Sequence, residues 1–453
     1  MIAPAGNEPS LSTDGTVAVI GGGLLGLTLA LRLASTGAHV TLFEAAPELG
    51  GLASAWRIGD VTWDRHYHVT LFSDRRLLSL LSELDLEREI VWTRVGTGFY
   101  SDGRFHPMNG ALDFLRFPPL GLIDKFRLGT TILRASRIAD PLPLEDVPVE
   151  TWLTELSGRN TFEKIWRPLL RAKLGERYRD ASAAFLWAIV VRHYAARRAG
   201  LGSERFGYVP GGYARVLDAL RAKLEALGVR FVLGSPVESI RRDGATGGFT
   251  VTTASGRYDG FERAAVTAPA RHAARLCVDL AENERARLLD KRYQGIVCAS
   301  LLLDEPLGPY YVTNLTDEWV PFSAVIEMSA LVERKAFGGK ALVYLPKYVA
   351  PDDPLFEVDD DALRDQFCSA LERMYPHFSR ASVRAFQVSR VRDVFPVATL
   401  GYSRGLPPIA TSVPGLFVVN AAHIVNGTLN ANETVSLAER ALAEMAAARV
   451  PAK

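Results

Sequence analysis

"TVAVIGGGLLGLTLALRL", Thr16 to Leu33, decides the fold. Thr16 to Leu31 carry no charge, and a membrane span takes roughly twenty mostly apolar residues, so hydropathy alone allows a bilayer. Spacing selects another reading. The β-branched run TVAVI suits a buried parallel strand, and Gly21-x-Gly23-x-x-Gly26 follows it at once. Leu24, Leu27 and Leu31, with Ala30 and Ala34, then keep helical spacing up to Gly37, where a helix can stop. A second apolar run, HVTLFEA, starts at His39 and ends on Glu44. Strand, glycine turn, helix and strand within about thirty residues form a dinucleotide-binding unit.

Each residue type has a physical task in that unit. Gly21 permits the tight turn, Gly23 lets the backbone approach a pyrophosphate, and Gly26 lets helix and strand pack closely. The first helical turn, including Leu25, supplies free N–H groups and a partial positive charge. Glu44 is placed to accept hydrogen bonds from a ribose diol, and its carboxylate would repel the 2′-phosphate of NADP.

Composition fits a globular enzyme: 453 residues, 48% hydrophobic and 23% charged, allow two or three domains. A formal net charge of +1 gives no overall attraction to nucleic acid or acidic lipid. Cys277, Cys298 and Cys368 form neither a CxxC nor a metal-like cluster and are expected as buried thiols in a reducing, cytoplasmic setting. Residues 1–14 lack the basic and apolar regions of a signal peptide and are expected to form a flexible leader. No metal site is expected, and nothing fixes an oligomeric state.

The glycines alone do not separate NAD from FAD. The stretch FEAAPELGGLASAW places Gly50 and Gly51 just after Glu44 and resembles the second FAD motif of a large flavoprotein group. That group includes amine oxidases, protoporphyrinogen oxidases, phytoene desaturases and UDP-galactopyranose mutases. Leu52 stands where many members carry an arginine along the pyrophosphate, which weighs against an amine oxidase in particular. VPGLFVVNAAHIVNGTLNANETVSLAERALAEMAAA, from Val413, resembles the group's C-terminal flavin motif, a strand returning to the first domain and then a helix. Asn430 and Glu433 fit a capping box, so the helix should start near Ala431. The resemblance implies FAD as cofactor and brings Asn420, Asn432, Glu433 and Thr434 to the flavin. Members often have an acid where Asn420 stands. YVPGGYARVL and the strands after it match a third segment, in which Val237 occupies an adenine-contacting position.

The implied architecture is α/β: a Rossmann-type FAD-binding domain, glutathione-reductase-like in the protoporphyrinogen-oxidase arrangement, with a discontinuous α+β substrate domain. The FAD domain is expected over 15–74, 206–292 and 391–453, and the substrate domain over 75–205 and 293–390. The first substrate piece reads as helical, and the second alternates like strands. Leu115, Phe117, Leu120, Leu122, Ile123 and Phe126 lie beside Arg116, Lys125 and Arg127. An interfacial membrane helix looks like this, and so does a helix packed on its own domain. With Asp124 among the basic residues, packing is the expectation and weak peripheral membrane contact the alternative.

The chemistry is expected in WDRHYHVTLFSD, which resembles a histidine-bearing segment of the mutases and of protoporphyrinogen-oxidase-like proteins. On an extended chain Arg65 and Tyr67 face one side, and His66 and His68 the other. His66, His68 and Tyr67 are the catalytic candidates, because a histidine near flavin can act as acid or base. Arg65, Arg167, Tyr311, Tyr344 and Arg404 are the candidate substrate contacts, since arginines suit phosphate or carboxylate. No second nucleotide fingerprint appears, so electrons must enter the flavin from a small organic substrate or an outside donor. The leading expectation is an FAD-dependent dehydrogenase, oxidase or desaturase acting on an isoprenoid-like or phosphorylated molecule. A redox-neutral mutase of a nucleotide sugar and a non-catalytic flavin-binding protein are the alternatives.

Overall fold

The computed structural model describes residues 15–199, 205–425 and 427–448, and the expected leader lies outside them. Five parallel strands stand in the order Leu416–Val418, Arg263–Val266, Thr16–Ile20, His39–Phe43, Arg230–Val232. Val17 and Val19 point into the core formed with the helices, while Ala18 and Ile20 point into a second core under an antiparallel three-stranded sheet. Both faces of the strand are covered, and so its sequence is apolar without alternation. The sheet grows from Thr16–Ile20 in both directions, which leaves a crevice beyond its carboxyl end, where the three glycines stand. No helix among the described residues is long and apolar enough to cross a membrane.

A mixed seven-stranded sheet forms the second unit, in the order Val383–Pro396, Tyr293–Leu303, Ala341–Val349, Ala324–Glu327, Tyr310–Leu315, Gly96–Ser101, Arg104–Pro107. Every residue of Tyr293–Leu303 is buried, as a central strand covered on both faces requires. Helices Leu122–Ala135, Val149–Ser157, Arg167–Leu174 and Ala183–Ala199 pack around Trp152, Phe162, Trp166 and Tyr178 and cover one face.

Three placements differ from the sequence-based boundaries. Leu77, Leu80, Leu81, Leu84, Leu86 and Ile90 pack into the nucleotide-domain core, because helix Arg75–Glu83 lies on Ala431–Ala447. Two strands of the substrate sheet, Gly96–Ser101 and Arg104–Pro107, come from the piece expected to be helical. Strand Val383–Pro396 stays in that sheet past residue 391.

Candidate functional site: a nucleotide cradle beside an apolar cavity

The crevice has the shape of a diphosphate site. Gly21 has φ +112°, open to glycine at little cost. A Cβ on Gly26 would stand 1.8 Å from the Gly21 carbonyl oxygen, so strand and helix can touch there only without a side chain. At Gly23 the opposite holds: a Cβ would meet nothing nearer than the Gly50 carbonyl oxygen at 4.0 Å. Gly23 borders open space at the start of helix Leu24–Ser35, whose first turn has neither a side-chain cap nor an acid. Its free N–H groups, Leu25 among the residues that bear them, face that space with the positive end of the helix dipole. Gly50 and Gly51 have φ +119° and +56° and bring the second loop against Gly23, with the Gly50 N–H donating to Gly22 O at 2.8 Å.

Glu44 braces the cradle. One carboxylate oxygen accepts from Gly22 N–H at 2.6 Å and the other from Ala46 N–H at 2.8 Å. Each oxygen keeps a lone pair for a ribose hydroxyl. Val237 stands close by at the start of its strand, since Ser235 N–H donates to Glu44 O.

The return segment closes the other side. Asn420 is buried, its Oδ1 accepts from Ala422 N–H at 3.1 Å, and its amide nitrogen is buried without a partner. That orphan donor suits a cofactor oxygen. Helix Ala431–Ala447 starts where the capping residues place it, and the Asn430 side chain accepts from Glu433 N–H at 3.1 Å. Two assignments here need correction. Asn432 Oδ1 accepts from the Arg76 and Leu77 N–H groups, capping the neighbouring helix, while its Nδ2 donates to Glu433. Thr434 Oγ1 donates to Asn430 O within its own helix. The polar ends of both side chains are therefore engaged by protein, Asn432 in capping the neighbouring helix and Thr434 within its own.

The segment from Arg65 to His68 is irregular rather than extended, and its side chains go four ways. His66 is buried between Leu52 O, 3.2 Å from Nδ1, and Ser389 Oγ, 3.2 Å from Nε2. Burial, helped by the nearby His68, pushes its pKa down to about 4. A neutral ring donating to the carbonyl and accepting from the hydroxyl satisfies both contacts. This places His66 as a clip between the glycine-pair loop and the substrate sheet, a correction to its expected acid–base role. His68 turns into a small enclosed space with Asp64, its Nδ1 3.6 Å from Asp64 Oδ2 and its ring 4.7 Å from that of Tyr213. Arg65 lies over Trp56. Only Tyr67 reaches the large cavity, where its hydroxyl is 2.7 Å from that of Tyr348. Burial and the adjacent Tyr348 hold this phenol well above its usual pKa.

That cavity, about 650 Å³, lies between the seven-stranded sheet and the helices and is lined also by the return segment, including Ala421, Ile424 and Thr428. Phe185, Leu186, Ile189 and Val190 keep helical spacing along one face of Ala183–Ala199 and form an apolar wall, a pattern the sequence itself carries. Tyr348, Phe395 and Tyr402 had no such signal, because strand ends and loops bring them together. The expected substrate contacts lie elsewhere. Arg167 pairs with Glu163 and Arg404 with Asp146. Tyr311 is core, and Tyr344 donates to Asp64 O at 2.5 Å inside the core. Arginine is cheapest to hold where a carboxylate meets it, and these arginines meet theirs away from the cavity.

Outside the cavity, Leu115, Leu122, Ile123 and Phe126 are 55%, 76%, 72% and 73% exposed, while Phe117 and Leu120 are buried. Packing thus accounts for two of the six apolar residues and leaves four on the surface. The three cysteines are free and buried, with burial pushing the Cys277 thiol up to about 12. No group of metal-ligating side chains occurs among the described residues.

The uncapped helix start, the open space at Gly23 and the orphan Asn420 amide fit the diphosphate and flavin of FAD. Residues 26–431 match the family described as flavin containing amine oxidoreductase. Carotenoid phi-ring synthase of Streptomyces griseus is 27% identical over 448 residues, spanning 86% of this chain and 82% of that protein. The fold is shared with a protein from Exiguobacterium sp. 255-15 provisionally named a protoporphyrinogen oxidase, at TM-score 0.76 and 18% identity, covering 96% of this chain and 99% of the other. It is shared also with reduced UDP-galactopyranose mutase, at TM-score 0.71 and 16% identity over 94% and 95% of the two chains. With the match running from the first helix into the last, the chain belongs to the flavin containing amine oxidoreductase family, and its cofactor is FAD.

Proposed function

We propose that the protein is an FAD-dependent dehydrogenase, oxidase or desaturase that removes hydride from a C–H bond of an elongated, largely apolar molecule taken from a lipid surface. The observation that carries this reading is the cavity of about 650 Å³, apolar along its helical wall and bordered by Tyr67 and the flavin-return segment. FAD, when bound, supplies the acceptor for the two electrons and the hydrogen. The chain's own residues do the rest: Gly21, Gly23, Gly51 and the first turn of Leu24–Ser35 hold the diphosphate, and the Tyr67–Tyr348 pair sets a hydrogen-bonding spot in the cavity that the apolar helical wall borders. The exposed apolar residues of helices Ala111–Arg116 and Leu122–Ala135 support peripheral contact with lipid. The same second helix contributes Ile132 to the cavity wall.

A nucleotide sugar suits this cavity less well. It would bring two phosphate charges, and the arginines that could meet them are paired with carboxylates elsewhere. The test is anaerobic: the purified yellow protein is mixed with isoprenoids, fatty acids, amines and sugar nucleotides, and flavin absorbance is followed. Bleaching by an apolar chain molecule alone is the expected result. Turnover of a sugar nucleotide only after outside reduction of the flavin would replace this reading with the mutase one.

A further inference from the structure

Among the described residues, the cavity has one cation without a counter-charge, Lys173. Lys173, on helix Arg167–Leu174, lines it with its ammonium nitrogen 3.9 Å from the centre of the Tyr348 ring and 4.8 Å from that of Phe395. Among the described residues it has no hydrogen-bond or ion-pair partner, and no aspartate or glutamate lines the cavity. A guanidinium on the wall, that of Arg192, is held by Asp74 at 3.2 Å. Aromatic faces ease the desolvation of an ammonium but offer no anion, so the charge is left to a ligand.

We propose that Lys173 anchors a single carboxylate head group on an amphiphilic ligand, whose tail lies along the apolar wall of Phe185, Leu186 and Ile189. A second donor stands beside it. The Tyr67–Tyr348 contact uses one hydroxyl hydrogen, which leaves the other free to donate to a carboxylate oxygen. Charge counting selects the head group: one uncompensated cation neutralises a carboxylate, whereas a diphosphate would bury further charge without a partner. The inference rests on reading this cavity as the substrate site, and it concerns binding rather than redox chemistry.

The test uses the FAD-loaded protein with cis-parinaric acid and its methyl ester, followed by fluorescence. Wild type should bind the acid about tenfold or more tightly than the ester, the scale of one desolvated charge pair. In Lys173→Met that ratio should collapse toward one with ester affinity unchanged, and Lys173→Arg should keep it. Equal binding of acid and ester by wild type overturns the proposal, as does a preference that survives Lys173→Met. If Lys173→Met loses the ester as well, the wild-type ratio and the arginine variant decide. Dodecyl phosphate displacing the probe better than dodecanoate would also overturn the carboxylate assignment. A flavin that no apolar compound reduces would sink the redox reading and leave this binding result standing.

Discussion

The glycine cradle and the helix pair near residue 120 are both rich in apolar residues, and they use them in opposite ways. Around Gly21, Gly23 and Gly26 each position has a distinct steric demand, from a site at Gly26 where a Cβ would lie 1.8 Å from a carbonyl oxygen to open space at Gly23. On Leu122–Ala135, Leu122, Ile123 and Phe126 face outward and meet no core. Where a site is built from backbone, the sequence must be exact in size. Where side chains face solvent, size is not constrained by neighbours.

Adding side chains inside the cradle should do the most damage. Gly26→Ala drives a methyl into the Gly21 carbonyl and should cost about 3 kcal/mol or more, read as a large fall in melting temperature or loss of soluble protein. Gly23→Val, with room for its side chain, should fold with an unchanged circular dichroism spectrum and carry no FAD. Stoichiometric FAD in Gly23→Val would move the diphosphate out of this cradle.

Next in size is the seam between the two halves. His66 has its pKa lowered from 6.5 to about 4, so the unfolded chain binds the proton first on acidification. Its contribution to stability is whole above pH 6.5 and is lost as pH falls toward 4. Between pH 7 and pH 5 this loss is about 2 kcal/mol by linkage, and His66→Gln, which keeps a donor and an acceptor, should lose that much less over the same interval in denaturant titrations. An unchanged pH slope in His66→Gln would mean that the ring takes up its proton in the fold as readily as in the unfolded chain. His66→Ala should instead loosen FAD by freeing the Leu52 loop, with destabilisation of about 1–3 kcal/mol.

The smallest effect on the fold itself belongs to the helix pair. Leu122→Glu with Phe126→Glu should leave the melting temperature unchanged, since both side chains are exposed. The same pair should lower sedimentation with anionic vesicles about tenfold, each lost apolar contact being worth roughly 1 kcal/mol or more. Exposed Arg116, Arg127, Arg134 and Arg137 should make the wild-type binding fall with salt. Equal sedimentation of the two proteins would remove lipid as the partner of this face.

Local physics explains what could be read in advance. The strand–glycine–helix unit and the start of Ala431–Ala447 depend on neighbours within a few residues, so the pattern carries them. Ser389, which fixes His66, is 323 positions away, and Tyr348 is 281 from Tyr67. No spacing rule reaches that far. Alternation pairs Arg65 with Tyr67 and His66 with His68 on a straight strand, but the segment bends, so Arg65 goes to Trp56, Tyr67 to the cavity and His68 to Asp64. Charge was misleading for a different reason: arginines were abundant, and their carboxylates were equally so.

The placement of Leu416–Val418 at one edge of the parallel sheet, with Ala431–Ala447 laid over Leu24–Ser35, has a biosynthetic consequence. A ribosome adding roughly 5–20 residues per second makes the first strand and glycine turn tens of seconds before the pieces that close over them. Through that interval Leu27 and Leu31 lack the helix that finally covers them, and Asn420 has not yet been made. Nascent chains should therefore be clients of holding chaperones, and flavin should enter only after translation is nearly finished.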